Sequence, residues 1–169
     1  MISPSYARAM ARYNAWQNAS VYGACDQLSD AQRRENRGAF FGSINATLNH
    51  ILRADQTWLA RFGAAEPPEK NSISKGLTLF DDWEELKAER SRFDGVIRDW
   101  ADRMEPPTFE GDLTWFSGAA NRELTRPRSL IIMHIFNHQT HHRGQVNAML
   151  TGFGINPGVT DLPFSPEEH

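Results

Sequence analysis

His134-Ile-Phe-Asn-His138-Gln-Thr-His141-His142-Arg-Gly-Gln145 carries four of the six histidines in a chain of 169 residues. The run around it, Leu130 to Leu150, has no proline. In it Ile131, Ile135, Val146 and Leu150 recur at helical spacing, with Ile132, Met133, Phe136 and Met149 beside them. An α-helix turns about 100° per residue, so His138 and His142 lie on one face, one turn apart. Two imidazoles so placed can reach one small cation, and neutral imidazole suits zinc, nickel, copper or iron. The clip is incomplete. A catalytic metal usually takes three protein ligands and keeps a position open for water or substrate.

Only two histidines lie outside the cluster. His169 is the last residue, at an end expected to fray. His50 sits in a second helical run, Ser43 to Phe62. His50, His138 and His142 therefore form the candidate metal triad. Asp55 falls about 140° round the helix from His50, which assigns it to a salt bridge or hydrogen bond with a facing helix. His134 and His141 fit a solvated face or a contact with a partner chain. The competing reading is a histidine-rich packing or interface role without a metal. Gly144 costs a helix about 1 kcal/mol relative to alanine, which suggests close approach of another helix or chain.

The remaining chain reads as three more long helices. The first runs from Pro4 to Leu28, capped by Ser3 or Ser5, with Asn14 or Asn18 as candidate pocket residues. The second is Ser43 to Phe62, with Ser43 as its cap and Trp58 either in the core or near a substrate. The third is Asp81 to Met104, whose charged part, Glu84 to Arg92, reads as a solvated face. Ala31 to Gly38 and Gly63 to Gly76 read as connections. Thr108 to Thr125 reads as a small hairpin, and a fourth helix starts at Ser129. The tail is rich in Gly and Pro, and Ile155, Val159, Leu162 and Phe164 give it the means to pack back on the bundle. The expectation is an all-α four-helix bundle whose long third crossover carries a β-hairpin, a fold that builds metal sites from facing helices.

Composition narrows the function. Residues 1–169 are of single-domain length. A net charge of −3 and a pI near 6.1 give no footprint for nucleic acid. No apolar run approaches the roughly 20 residues of a membrane span, and the N-terminus has no signal-peptide core. Cys25, the one cysteine, excludes an internal disulfide and fits a reducing cytoplasm; it reads as a core residue. There is no His-Glu-x-x-His for a zincin, no Glu-x-x-His for a di-iron site and no Gly-x-Ser-x-Gly elbow.

Thr47-Leu-Asn-His-Ile-Leu-Arg-Ala-Asp-Gln-Thr-Trp-Leu-Ala-Arg-Phe62 and the run from His134 to Leu150 resemble the DinB family, the damage-inducible group of the DinB/YfiT-like superfamily. Tyr13 to Asn18 and Gly158 to Pro163 also resemble it. The resemblance implies a four-helix bundle, often a homodimer, with a divalent metal on three histidines, which map onto His50, His138 and His142. It implies less about activity. Some superfamily members are thiol-dependent transferases or isomerases in which the metal activates a low-molecular-weight thiol. The family's name implies no DNA binding. The leading expectation is thus a zinc- or nickel-dependent thiol S-transferase, with Asn14, Trp58 and Arg143 as candidate pocket residues and Arg143 able to reach an anionic ligand. The alternatives are a non-catalytic metal-binding stress-response protein and a metal-free dimeric bundle.

Overall fold

The computed structural model describes residues 2–69 and 72–166. The expected position of His169 at a frayed end lies outside them, as do Lys70 and Asn71 of the expected long connection. The described residues form six α-helices, two short 3-10 helices and one antiparallel pair of strands. The four long helices are α1 (Pro4–Cys25), α3 (Ile44–Arg61), α5 (Trp83–Asp102) and α6 (Arg128–Gly152). Two short ones, α2 (Asp30–Arg34) and α4 (Ile73–Gly76), fall where the sequence reads as connection.

Polar caps set the helix starts. Ser3 accepts from the Tyr6 N–H and Pro4 occupies the first turn, where a missing N–H costs nothing. Ser43 accepts from Ala46 N–H, and Asp82 from Glu85 N–H. Helix α1 stops at Cys25, short of Leu28, because Ser29 and Gln32 form a reciprocal capping box that opens α2. The hairpin joins β1 (Asp112–Ser117) to β2 (Arg122–Pro127), with Trp115 opposite Leu124; Asn121 takes a positive φ of 49° in its turn.

Helix α1 packs on α5 and α6, and α3 packs on α6 and α5. The core between them holds Leu48, Leu52, Phe93, Ile132, Ile135 and Phe136, all essentially without solvent exposure. Burial of each such side chain contributes about 1.5–3 kcal/mol. Cys25 is in this core, and burial pushes its thiol up to about 12, so it is inert at neutral pH. No helix among the described residues is long and apolar enough to cross a membrane.

One expectation is corrected here, and another, the packing of the tail on the bundle, is met by other means. Within Glu84 to Arg92, Arg90 is buried and not part of a solvated face. It lies between Asp55 (2.6 Å) and Asp94 (2.8 Å). The tail also packs differently from its apolar pattern. Ile155 touches the core, but Val159 and Phe164 stay 53% and 71% exposed. Polar side chains of α1 hold the tail by its carbonyls: Ser20 to Pro157 O (2.7 Å), Gln17 to Val159 O (2.9 Å) and Tyr13 to Thr160 O (2.6 Å).

Candidate metal centre

The site is made where α3 lies against α6. His50 comes from the second turn of α3, and His138 and His142 come from successive turns of α6. Periodicity alone places the latter two together. Apolar packing of Leu48, Ile51 and Leu52 against Ile132, Ile135 and Phe136 fixes where His50 meets them. One ligand atom of each histidine lies within 4.8 Å of the other two. Ring centroids are 5.0 Å apart for His50–His138, 4.8 Å for His50–His142 and 4.4 Å for His138–His142.

His50 Nε2 and His138 Nε2 face each other at 3.1 Å. Two nitrogens at about 2.0–2.1 Å from one zinc in a tetrahedral arrangement stand roughly 3.3 Å apart, so the observed pair needs little adjustment to share an ion. A single N–H···N hydrogen bond would also suit that pair but would not use the third ring. His142 is instead oriented from its other nitrogen. Its Nδ1 is 2.8 Å from Gln145 Oε1. A carbonyl oxygen only accepts, so Nδ1–H donates and the Nε2 lone pair is left free for a cation. Gln145 Nε2 is in turn 3.4 Å from His141 Nε2.

The electrostatics suit a neutral donor set. Burial first, then His142 and Arg53, lowers the His50 pKa to about 3. Burial and the neighbouring histidines lower His138 likewise to about 3. Burial also lowers His142, against the opposing bond to Gln145. His50 Nδ1 is buried without a hydrogen-bond partner among the described residues. The His50 ring is packed instead by Phe41, whose centroid is 4.0 Å away and 5.3 Å from His142. The residues present therefore fit a divalent cation: three neutral imidazoles converge from two rigid helices, one with its tautomer fixed.

The rest of the mouth is aromatic. His134 sits 5.4 Å from His138 and 5.4 Å from Trp58, and Trp58 meets Trp115 of the hairpin at 5.3 Å. Trp58 is therefore half-buried beside the cluster. A separate cavity of about 460 Å³, bordered by Leu79, Phe80, Phe93 and Val96, includes none of the histidines.

The other expected pocket residues lie elsewhere. Arg143 is buried toward α1, where it donates to Asn14 and reaches Asn18. Asn18 donates to Asp94 at 2.8 Å. Asn14, Asn18 and Arg143 thus belong to an interior polar seam with Asp94, Arg90 and Asp55 and do not line the histidine site. Asp55 pairs with the facing α5, as its helical angle implies. Gly144 is exposed, and no atom of another element would lie within 4 Å of a Cβ there, so the close approach it suggests is not made within the chain. Phe41, Trp115 and Gln145 were missed by the sequence reading. Gln145, three residues after His142 on the same helix, was the one with a readable spacing.

A model of the DinB family matches residues 1–169. The chain belongs to the DinB family. It is 20% identical over 149 residues to Protein DinB of Bacillus subtilis strain 168, covering 88% of this chain and 87% of that one. Its fold is similar to the crystal structure of a DinB-like protein from Bacillus cereus ATCC 10987, with a TM-score of 0.61, 18% identity, and coverage of 85% of this chain and 91% of that one. The DinB-like fold expected from the sequence is the one observed.

Proposed function

We propose that this DinB-family chain binds one divalent cation, zinc or nickel, through His50, His138 and His142, and uses it in a thiol-dependent S-transfer reaction. The observation that carries the reading is the convergence of three neutral imidazoles within 4.8 Å of one another. Three ligands leave a tetrahedral ion one open position. When bound, the cation would favour the thiolate of a coordinated thiol, which is the nucleophilic form.

The chain's own residues supply the setting. The three histidines give neutral nitrogen donors, so the divalent site keeps its full positive charge for an anionic sulfur. Gln145 holds His142 in the tautomer that presents Nε2. Phe41 covers one side of His50 and His142 and limits water there. Trp58 and Trp115 offer an apolar wall beside the histidines. The new C–S bond uses the sulfur electron pair, the leaving group departs with its own bonding pair, and the thiol proton passes to solvent. The partner is a low-molecular-weight thiol, and the working form is a cytoplasmic homodimer with no nucleic-acid or membrane partner.

The test is metal content by mass spectrometry on untagged protein, for wild type and His50→Ala, followed by titration of thiols into the loaded form. About one ion per chain in wild type and little in the variant is the expected result. Wild type that refuses added zinc and nickel overturns the reading. Bound metal without affinity for any thiol reduces it to a structural cation.

A further inference from the structure

Arg61 is the last residue of α3, about three turns beyond His50 on that helix. Its guanidinium carbon lies 4.4 Å from the Trp58 ring centroid and 5.5 Å from that of Trp115. The two indoles meet edge to face at 5.3 Å, so α3 and the hairpin form an aromatic corner in which the cation sits against both rings. Among the described residues no carboxylate forms an ion pair with Arg61, whereas Arg90 on the facing α5 has two. Arg61, Trp58 and Trp115 are each only partly buried, so the group is reachable from solvent. Arg53, on the same helix, adds a second positive charge felt at both Arg61 and His50.

The placement relative to the histidines is equally specific. His138, His134, Trp58 and Arg61 form a file of neighbours with successive separations of 5.4, 5.4 and 4.4 Å. One end of the file is the candidate metal centre, and the other is a guanidinium with no acidic partner. A planar guanidinium stacked on aromatic faces keeps its N–H fork in the ring-parallel plane free for a carboxylate, which it can hold by two parallel bonds. Stacking also orders the side chain before any ligand arrives, which lowers the entropy lost on binding.

We propose that Arg61, seated in the corner formed by Trp58 and Trp115, binds a carboxylate of the substrate whose thiol end reaches the histidine centre. This rests on the metal reading above and names its substrate class: a thiol carrying a carboxylate at the reach of about three extended residues, roughly 10 Å. Arg61 is then a specificity-determining residue. Trp115 then gives the hairpin a functional role, because it forms one wall of the corner that holds Arg61.

The test uses N-acetyl-Cys-Gly-Gly with a free C-terminal carboxylate and the same peptide as its C-terminal amide. Each is titrated calorimetrically into zinc-loaded wild type, Arg61→Gln and Arg61→Lys, with zinc per chain measured in every sample. Wild type is expected to prefer the acid by about tenfold, a difference of about 1.4 kcal/mol. Arg61→Gln is expected to bind both peptides within twofold of each other, with unchanged zinc content and unchanged affinity for the amide. Arg61→Lys retains the charge without the planar fork and is expected to keep a smaller preference for the acid; loss of that preference would show that the stacked fork is essential, still in support. Equal affinity of acid and amide in wild type, a full preference in Arg61→Gln, or no binding of either peptide to zinc-loaded wild type overturns the carboxylate subsite and leaves the metal centre standing. Wild type that takes up no zinc overturns the metal centre and the subsite with it.

Discussion

Two polar clusters are buried in this bundle, and they are built on opposite rules. The interior seam of Asp55, Arg90, Asp94, Asn18, Arg143 and Asn14 has two cations, two anions and amides that link them. The histidine cluster has donors and no acids. In the seam, burial holds the carboxyls of Asp55 and Asp94 above their ordinary range, and the neighbouring Arg90 offsets only part of that rise. In the histidine cluster nothing opposes burial for His50 and His138, and both fall to about 3. The seam balances its charges from its own residues, although Asn14 Nδ2 and Arg90 Nε have no hydrogen-bond partner among the described residues. The histidine site has no such internal balance, and under the proposed reading a cation would complete it. A buried polar cluster whose charges already balance is a feature of the fold, whereas one that lacks a charge is where a ligand belongs.

The sharpest way to break this contrast is to unbalance the seam. Replacing Asp55 by Ala leaves Arg90 buried with one anion fewer. Removing one partner of a buried pair typically costs about 3–5 kcal/mol, and urea denaturation of Asp55→Ala is expected to show a loss of that size. Zinc uptake per folded chain should not change, because Asp55 interacts with Arg90 of α5 and Gln139 of α6 and with none of the three histidines. Loss of zinc at unchanged stability would make the two clusters one.

The complementary experiment removes a histidine. His50→Ala is expected to abolish zinc binding and leave the stability of the metal-free protein within about 1 kcal/mol, since a half-satisfied, neutral imidazole gives up little. Wild type should gain stability on adding zinc by mass action, about 4 kcal/mol when free zinc is a thousand times Kd, and His50→Ala should gain none. Thermal melting with and without zinc reads both.

The two clusters should also part in their response to pH. His50 and His138 have folded pKa values near 3, below the usual 6.5. Below 6.5 the unfolded chain binds protons that the folded one does not, so stability falls with acid. The metal-free protein is therefore expected to lose stability progressively from about pH 6.5 toward pH 3, with a slope approaching about two protons per unit in mid-window. His50→Ala should remove about one of them. A slope unchanged by the substitution, measured by urea midpoints across that window, would place the acid sensitivity in other groups.

The contrast was unevenly legible in the sequence. Helical periodicity and the four-residue step from His138 to His142 required only local geometry, and elimination left His50 as the third member. Asp55 was placed correctly from its angle alone. The seam was harder because charge pattern and apolar stripe gave opposite answers. Arg90 sits on the face of Leu86, Phe93 and Ile97, all buried, yet it lies in a run of charged residues that looks solvated. Asn14, Asn18 and Arg143 are polar residues on helices, and only the packing of α1 against α6 decides whether they line a pocket or bond to one another. Phe41 and Trp115 enter the site on a loop and a hairpin, where no period predicts direction. The tail's apolar residues suggested burial, but α1 presents Tyr13, Gln17 and Ser20, which bind its backbone instead.

The smallest expected effect tests how finely the histidine site is prepared. Gln145 touches no candidate cation position; it acts through the 2.8 Å contact with His142 Nδ1. Without it the imidazole can carry its proton on either nitrogen, and part of the population presents N–H where a lone pair is needed. Loss of such an orienting partner typically weakens metal binding tenfold to a hundredfold, or about 1.4–2.7 kcal/mol. Gln145→Ala should fall in that range by competition with a zinc chelator, while Gln145→Glu, which keeps an acceptor oxygen at the same reach, should bind at least as tightly as wild type. The chemical logic is that a carboxylate accepts the Nδ1–H more strongly and makes Nε2 a better donor. Equal losses in both variants would show that the side chain matters only for packing, and the histidine site would then resemble the seam more than its missing charge suggests.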